Sequence, residues 1–200
     1  MKELQQQLIE NLSSKDMNVQ GNAFQQLMKL TKEPVDWAYD IWDNLITLLE
    51  KGDNKGRSIA AQVLCNLAKS DPKSRMEKDL LKLFKATKDE KFVTARHSLL
   101  ALWKVAVINK TLTKKTAEGL SKRFDECSTE KNGTLIRYDI CTVFRKIFDA
   151  TLDEQIFKKA IRLIDIETDE NYRKKYLTVW KDILKEKSKN KRINYVQGFV

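Results

Sequence analysis

Apolar positions recur at helical spacing along the whole chain, and one phrase repeats five times: an arginine or glutamine with apolar residues three, seven and ten positions later. It reads Gln20, Ala23, Leu27, Leu30; Arg57, Ala60, Leu64, Leu67; Arg96, Leu99, Trp103, Ala106; Arg137, Ile140, Phe144, Ile147; and Arg173, Tyr176, Trp180, Ile183. The opening residues lie 37, 39, 41 and 36 positions apart. Steps of three and four residues put these side chains on one helical face. A period of this length marks a stacked helical array, because one helix pair cannot bury its apolar face alone. Leu27, Leu64, Trp103, Phe144 and Trp180 share the offset of seven and are predicted to be buried at equivalent places.

Each phrase is preceded by a shorter amphipathic stretch, and these predict first helices over Leu4–Leu12, Ala38–Leu49, Glu77–Ala86, Thr113–Phe124 and Asp153–Ile164. Polar turns rich in Asp, Asn, Ser and Gly separate the two helices of each unit: Ser13–Asn18, Gly52–Gly56, Lys88–Lys91, Asn132–Thr134 and Glu167–Asn171. Asp71-Pro72 reads as an N-cap with proline in the first helical turn. The predicted organisation is one repeat domain over residues 1–187, with repeats at 1–32, 35–69, 77–108, 112–149 and 153–187, then a basic tail at 188–200.

Six glycines and two prolines are too few for a turn-rich β protein, so the chain is predicted to be all-α. No apolar run reaches about 18 residues, and the opening helix is amphipathic and not a signal peptide; a soluble cytoplasmic protein without membrane contact is expected. Cys65, Cys127 and Cys141 are widely spaced and form no paired motif, so reduced packing thiols are expected and neither a disulfide framework nor a metal site. His97 is the single histidine, which makes a poor general base with no fixed acid beside it. Neither a catalytic group nor a cofactor is expected. Charge is uneven: residues 1–50 hold four Lys/Arg against eight Asp/Glu, while residues 101–200 hold 22 against 14. That asymmetry favours an anionic partner toward the carboxyl end.

Asp53-Asn54-Lys55-Gly56-Arg57 leading into Ile59-Ala60-Ala61 and Leu64, and Asp169 to Arg173 leading into Tyr176 and Trp180, resemble the turn and second helix of HEAT repeats. The resemblance covers nearly the whole chain, with Gln20 in place of the first arginine and Leu99, Ile140 and Tyr176 larger than the alanine the family favours. It implies a right-handed α-solenoid of about five antiparallel helix pairs, second helices lining a concave groove, and a role as scaffold or protein-binding surface. A cation in the first turn opposes the helix dipole. Arg57, Arg96, Arg137 and Arg173 are therefore read as structural turn arginines. For Arg57 and Arg173 an acid four residues earlier, Asp53 and Asp169, points to pairing with carboxylates of the interhelical turns, and the resemblance implies that such arginines bridge one repeat to the next.

Offsets of five, eight, nine and twelve on the second helices face the expected groove and carry Lys29, Lys32, Lys69, Lys104, Arg145, Lys146, Lys181 and Lys185. Such a stripe suits a phosphate backbone, although lysines in last helical turns also complement the dipole. Lys104, Arg145, Lys146, Lys181 and Lys185 are the candidate nucleic-acid contacts. A weaker resemblance, to HEAT-like DNA alkylation-repair glycosylases, implies groove tryptophans and a carboxylate. Trp37, Trp42, Trp103 and Trp180, with Asp139, Asp149 and Asp182, are the residues available. A non-enzymatic protein-binding scaffold is the first expectation, and a nucleic-acid binder of the alkylation-repair type is the alternative.

Overall fold

Asp16, Asp53, Asn109, Asp153 and Asp169 each start a helix by accepting backbone N–H groups that the first turn leaves unpaired. Asp53 takes the Gly56 N–H at 2.6 Å, and Asn109 takes that of Leu112 at 2.8 Å. The computed structural model describes residues 2–197 and the side chains of residues 3–189; within them lie α-helices, short 3-10 turns and no strand. In chain order the helices pair as α1 (Lys2–Leu12) with α2 (Met17–Leu30), and α3 (Ala38–Lys51) with α4 (Asn54–Leu67). Next come α5 (Met76–Ala86) with α6 (Phe92–Ala101) and its continuation α7 (Trp103–Ala106), then α8 (Lys110–Glu126) with α9 (Gly133–Thr151). Last are α10 (Glu154–Asp165), α11 (Glu170–Leu177) and α12 (Lys181–Gln197).

The first helices α1, α3, α5, α8 and α10 pack in series as one layer, and α2, α4, α6, α9 and α11 pack in series as the other. The apolar faces between the layers form one continuous core from Leu8 to Trp180. The molecule is an all-α solenoid, in which each pair is stabilised by its neighbours. Gly133 opens α9 so close to the preceding turn that a Cβ there would lie 2.0 Å from the Cys127 carbonyl oxygen.

Leu27, Leu64, Phe144 and Trp180 are fully buried, as the shared offset predicts. Trp103 departs from them and is only partly buried. Trp103 directly follows an interruption of the helix at Leu102, whose N–H turns to the Leu99 carbonyl at 3.1 Å, while Ala106 at the offset of ten stays buried. Leu102 itself fills the core place. The Asp71-Pro72 reading also needs correction: α5 begins at Met76, and Asp71 caps it from a distance by accepting the N–H groups of Arg75 at 2.9 Å and Met76 at 2.7 Å. Pro72 lies in the turn between. At the carboxyl end α12 runs unbroken past Ser188, where the basic tail was expected to start. The side chains of residues 190–197, and residues 198–200 altogether, lie outside the described residues, and so does the rest of that expectation.

Candidate anion-binding face on the second helices

The repeated arginines reach forward to the next repeat, not back to the preceding acid. Arg57 forms a two-pronged pair with Asp89, at 2.5 and 2.9 Å, and also donates to the Gly52 carbonyl at 2.8 Å. Arg96 grips Asp139 on α9 at 2.6 and 2.8 Å. Arg137 donates to Glu167 at 2.8 Å and to the Phe124 carbonyl at 3.1 Å. Burial alone would raise the pKa of Asp89 and of Glu167. The paired guanidinium and one backbone N–H outweigh it, holding both below the ordinary carboxylate values. Asp53 and Asp169 are occupied as helix caps. Among the described residues Arg173 forms no ion pair, so the pairing expected for it is absent.

Arg145 is likewise held by protein groups. It donates to both Asp182 oxygens at 2.6 and 2.7 Å, to Asp149 at 2.6 Å and to the Val179 carbonyl at 2.8 Å. A guanidinium facing two carboxylates has no net charge left over for a phosphate, and four of its five N–H donors are already used. It is therefore removed from the set of free groove cations.

The lysines behave differently. Lys104 extends from α7 and is half-buried; its ammonium donates to Asn66 Oδ1 on α4. Asn66 is itself buried, and its amide donates to Thr31 Oγ1 at 3.1 Å and lies 3.5 Å from the Met28 sulfur. Lys69 reaches back to the Lys32 carbonyl at 2.6 Å. Lys146 on α9 stands over the Trp103 ring, 5.8 Å from its centroid. Burial lowers the Lys104 pKa below the ordinary lysine value, and the nearby Lys69 and Lys146 charges lower it further. Each of the three ammoniums is fixed by a neutral group. Among the described residues, none of them has a carboxylate within 4.0 Å.

Of the expected nucleic-acid contacts, Lys104 and Lys146 lie on the adjoining helices α7 and α9, and Lys69 stands on the turn after α4 that packs against α7. Lys181 and Lys185 lie elsewhere, beside Lys174, Leu177 and Thr178. Asn66 was not anticipated; its only sequence signal is an amide at a second-helix position otherwise flanked by core residues. The alkylation-repair constellation is not assembled. Trp42 and Trp180 are fully buried, Trp37 and Trp103 pack partly against the core, and Asp139, Asp149 and Asp182 are engaged by Arg96 and Arg145. All three cysteines are buried and unpaired, with burial pushing the Cys65 thiol up to about 12. No described helix is long and apolar enough to cross a membrane.

No family model matches the chain, and no curated protein matches it either. Among solved structures, a designed armadillo repeat protein in complex with the peptide (KR)4 is similar over 90% of this chain and 98% of its own, at 15% identity and a TM-score of 0.48. A second designed armadillo repeat protein aligns over 89% of this chain and 98% of its own, at 17% identity and a TM-score of 0.46. An engineered protein aligns over 90% and 87% respectively, at 17% identity and a TM-score of 0.47. None of these scores reaches 0.5, and the architecture rests on the chain's own packing.

Proposed function

We propose that this chain is a non-enzymatic scaffold of the HEAT type whose second-helix face binds an acidic segment of a protein partner. One observation carries the reading: Lys69, Lys104 and Lys146 are held in place by neutral groups and left without a counter-charge, whereas the repeated arginines of the second, third and fourth repeats are neutralised. Lys104 is half-buried and feels the charges of the exposed Lys69 and Lys146, and an anion from outside relieves that repulsion. The buried, unpaired cysteines support a reducing compartment such as the cytoplasm.

A protein segment suits the face better than a nucleic-acid backbone. The cation line is short, and Arg145, which would extend it, is already paired with Asp149 and Asp182. The test is titration of a labelled Glu/Asp-rich peptide and a labelled duplex DNA against wild type and a Lys69→Gln/Lys104→Gln/Lys146→Gln variant, each at two salt concentrations. The peptide is expected to bind wild type and to lose at least tenfold in affinity with the variant. Duplex binding that exceeds peptide binding, with a log–log salt slope falling by roughly 0.9 for each lost contact, would replace this reading with the nucleic-acid one.

A further inference from the structure

We propose that the outer face of the last helix pair, on α11 and the start of α12, docks an amphipathic helix of another protein that carries carboxylates beside an apolar stripe. This surface is separate from the lysine face described above and does not depend on it. Each earlier second helix meets the next repeat through the same few places, counted from its repeated arginine. The arginine itself, as Arg57, Arg96 or Arg137, takes a carboxylate of the next repeat. Three residues before it, the Asn54 carbonyl accepts from Thr94 at 2.7 Å and the Thr134 carbonyl accepts from Tyr176 at 3.1 Å. One residue after it, Ser58 Oγ lies 3.0 Å from His97 Nδ1, and the Tyr138 ring lies under Lys175. Eight residues after it, Arg145 takes Asp182. With 3.6 residues per turn these places share one side of the helix, the side that faces the following repeat.

On the last pair those places hold Glu170, Arg173, Lys174 and Lys181, with Leu177 and Leu184 between them. Both leucines are only partly buried, and they line a shallow groove with Lys174, Lys181 and Lys185. Among the described residues Arg173, Lys181 and Lys185 form no ion pair, while Glu170 engages Lys174 at 2.9 Å. The face is thus an apolar floor with an excess of cations at its rim, which an acidic amphipathic helix complements. The guanidinium of Arg173 is a fork shaped for a carboxylate, the grip that Arg57 and Arg96 show with both prongs. A second copy of this chain fits poorly. Asp89 and Glu167, which meet Arg57 and Arg137, stand two residues before the N-cap of their helix, where the first pair has Ser14. Asp139 stands two residues after the repeated arginine and Asp182 nine after, where the first pair has Asn22 and Lys29. A head-to-tail copy would offer Arg173 no acid at these places and would set Lys29 against Lys181. A nucleic-acid backbone would leave Leu177 and Leu184 without apolar contact.

The experiment uses the full chain and three stapled peptide helices, each labelled with a dye whose anisotropy reads affinity. The first has leucines along one side flanked by glutamates. The second replaces those glutamates with glutamine, and the third keeps them and replaces the leucines with serine. The first peptide is expected to bind at least tenfold more tightly than either of the others. That preference should hold in wild type and in the Lys69→Gln/Lys104→Gln/Lys146→Gln variant alike, because the latter alters only the lysine face. Arg173→Gln/Lys181→Gln should bring the first and second peptides to within threefold, with helix content and melting temperature unchanged. Leu184→Ser should bring the first and third together in the same way. Loss of the preference in the Lys69/Lys104/Lys146 variant overturns the inference and places the peptide on the lysine face, whereas failure of the lysine-face reading leaves it untouched. No binding of the first peptide by wild type overturns it as well. Self-association of wild type in sedimentation that Arg173→Gln/Lys181→Gln abolishes would give the face to a second copy. A labelled duplex that binds more tightly than the first peptide, and loses affinity with the same variant, would give it to nucleic acid.

Discussion

Glu167 and Arg137 form the most enclosed of the forward-reaching pairs, with side chains 7% and 14% exposed. Removing one member of such a pair leaves the other charged, desolvated and without its partner. Glu167→Ala is therefore expected to cost about 3 kcal/mol of stability. Glu170→Ala, which breaks only the exposed pair with Lys174, should cost about 0.5 kcal/mol or less, both read from denaturant midpoints. The pairs also set a pH dependence. Asp89 and Glu167 have folded-state pKa values below their unfolded ones, so their contribution is complete above the ordinary carboxylate pKa values of 3.8 and 4.5 and is lost as pH falls through the lower, folded values. Thermal unfolding should accordingly shift downward in acid below about pH 4, and Glu167→Ala should flatten that shift. At this scale the sequence is only half legible. It shows that Arg57, Arg96 and Arg137 need an acid, but their partners stand 32, 43 and 30 residues onward. Local spacing points to Asp53, which is engaged in capping.

Helices were the most readable level, because the three, seven and ten spacing follows directly from 3.6 residues per turn. All five second helices begin where their turns predict, within a few residues. The reading failed at Leu102, where the phrase assumes one unbroken helix and the chain makes a turn between α6 and α7. Trp103 and Trp180 therefore share an offset and not an environment. Trp180 is enclosed by Phe148, with ring centroids 5.7 Å apart, and by Phe157 at 5.6 Å. Trp180→Ala should cost about 3 to 5 kcal/mol. Trp103→Ala should cost about 1 kcal/mol, since a partly buried ring gives up less contact area. Equal destabilisation of the two variants in chemical denaturation would mean that the break at Leu102 is absent in solution.

For the whole molecule, the two-layer stack was foreseeable from period alone, whereas the candidate site was not. Lysines at similar offsets look equivalent in sequence, and only the folded chain separates Lys104 and Lys146, left by the described residues without a carboxylate, from Arg145, which Asp182 has already claimed from 37 residues away. The joints between repeats are also unequal. Gln20 stands where the other second helices carry arginine, and its amide turns inward to the Leu12 carbonyl at 2.8 Å. Among the described residues no ion pair ties the first helix pair to the second, while salt bridges join the later pairs. Under tension a chain of links yields at its weakest one. Stretched between tethers at residues 2 and 189 in an optical trap, the molecule should shed its first helix pair at the lowest force, with a length gain on the order of 100 Å from roughly thirty residues at about 3.3 to 3.6 Å each. Gln20→Arg alone should not raise that force, because strengthening the joint needs an acid on the facing repeat as well. The solenoid then resists load as a graded series, with a release point built into one end.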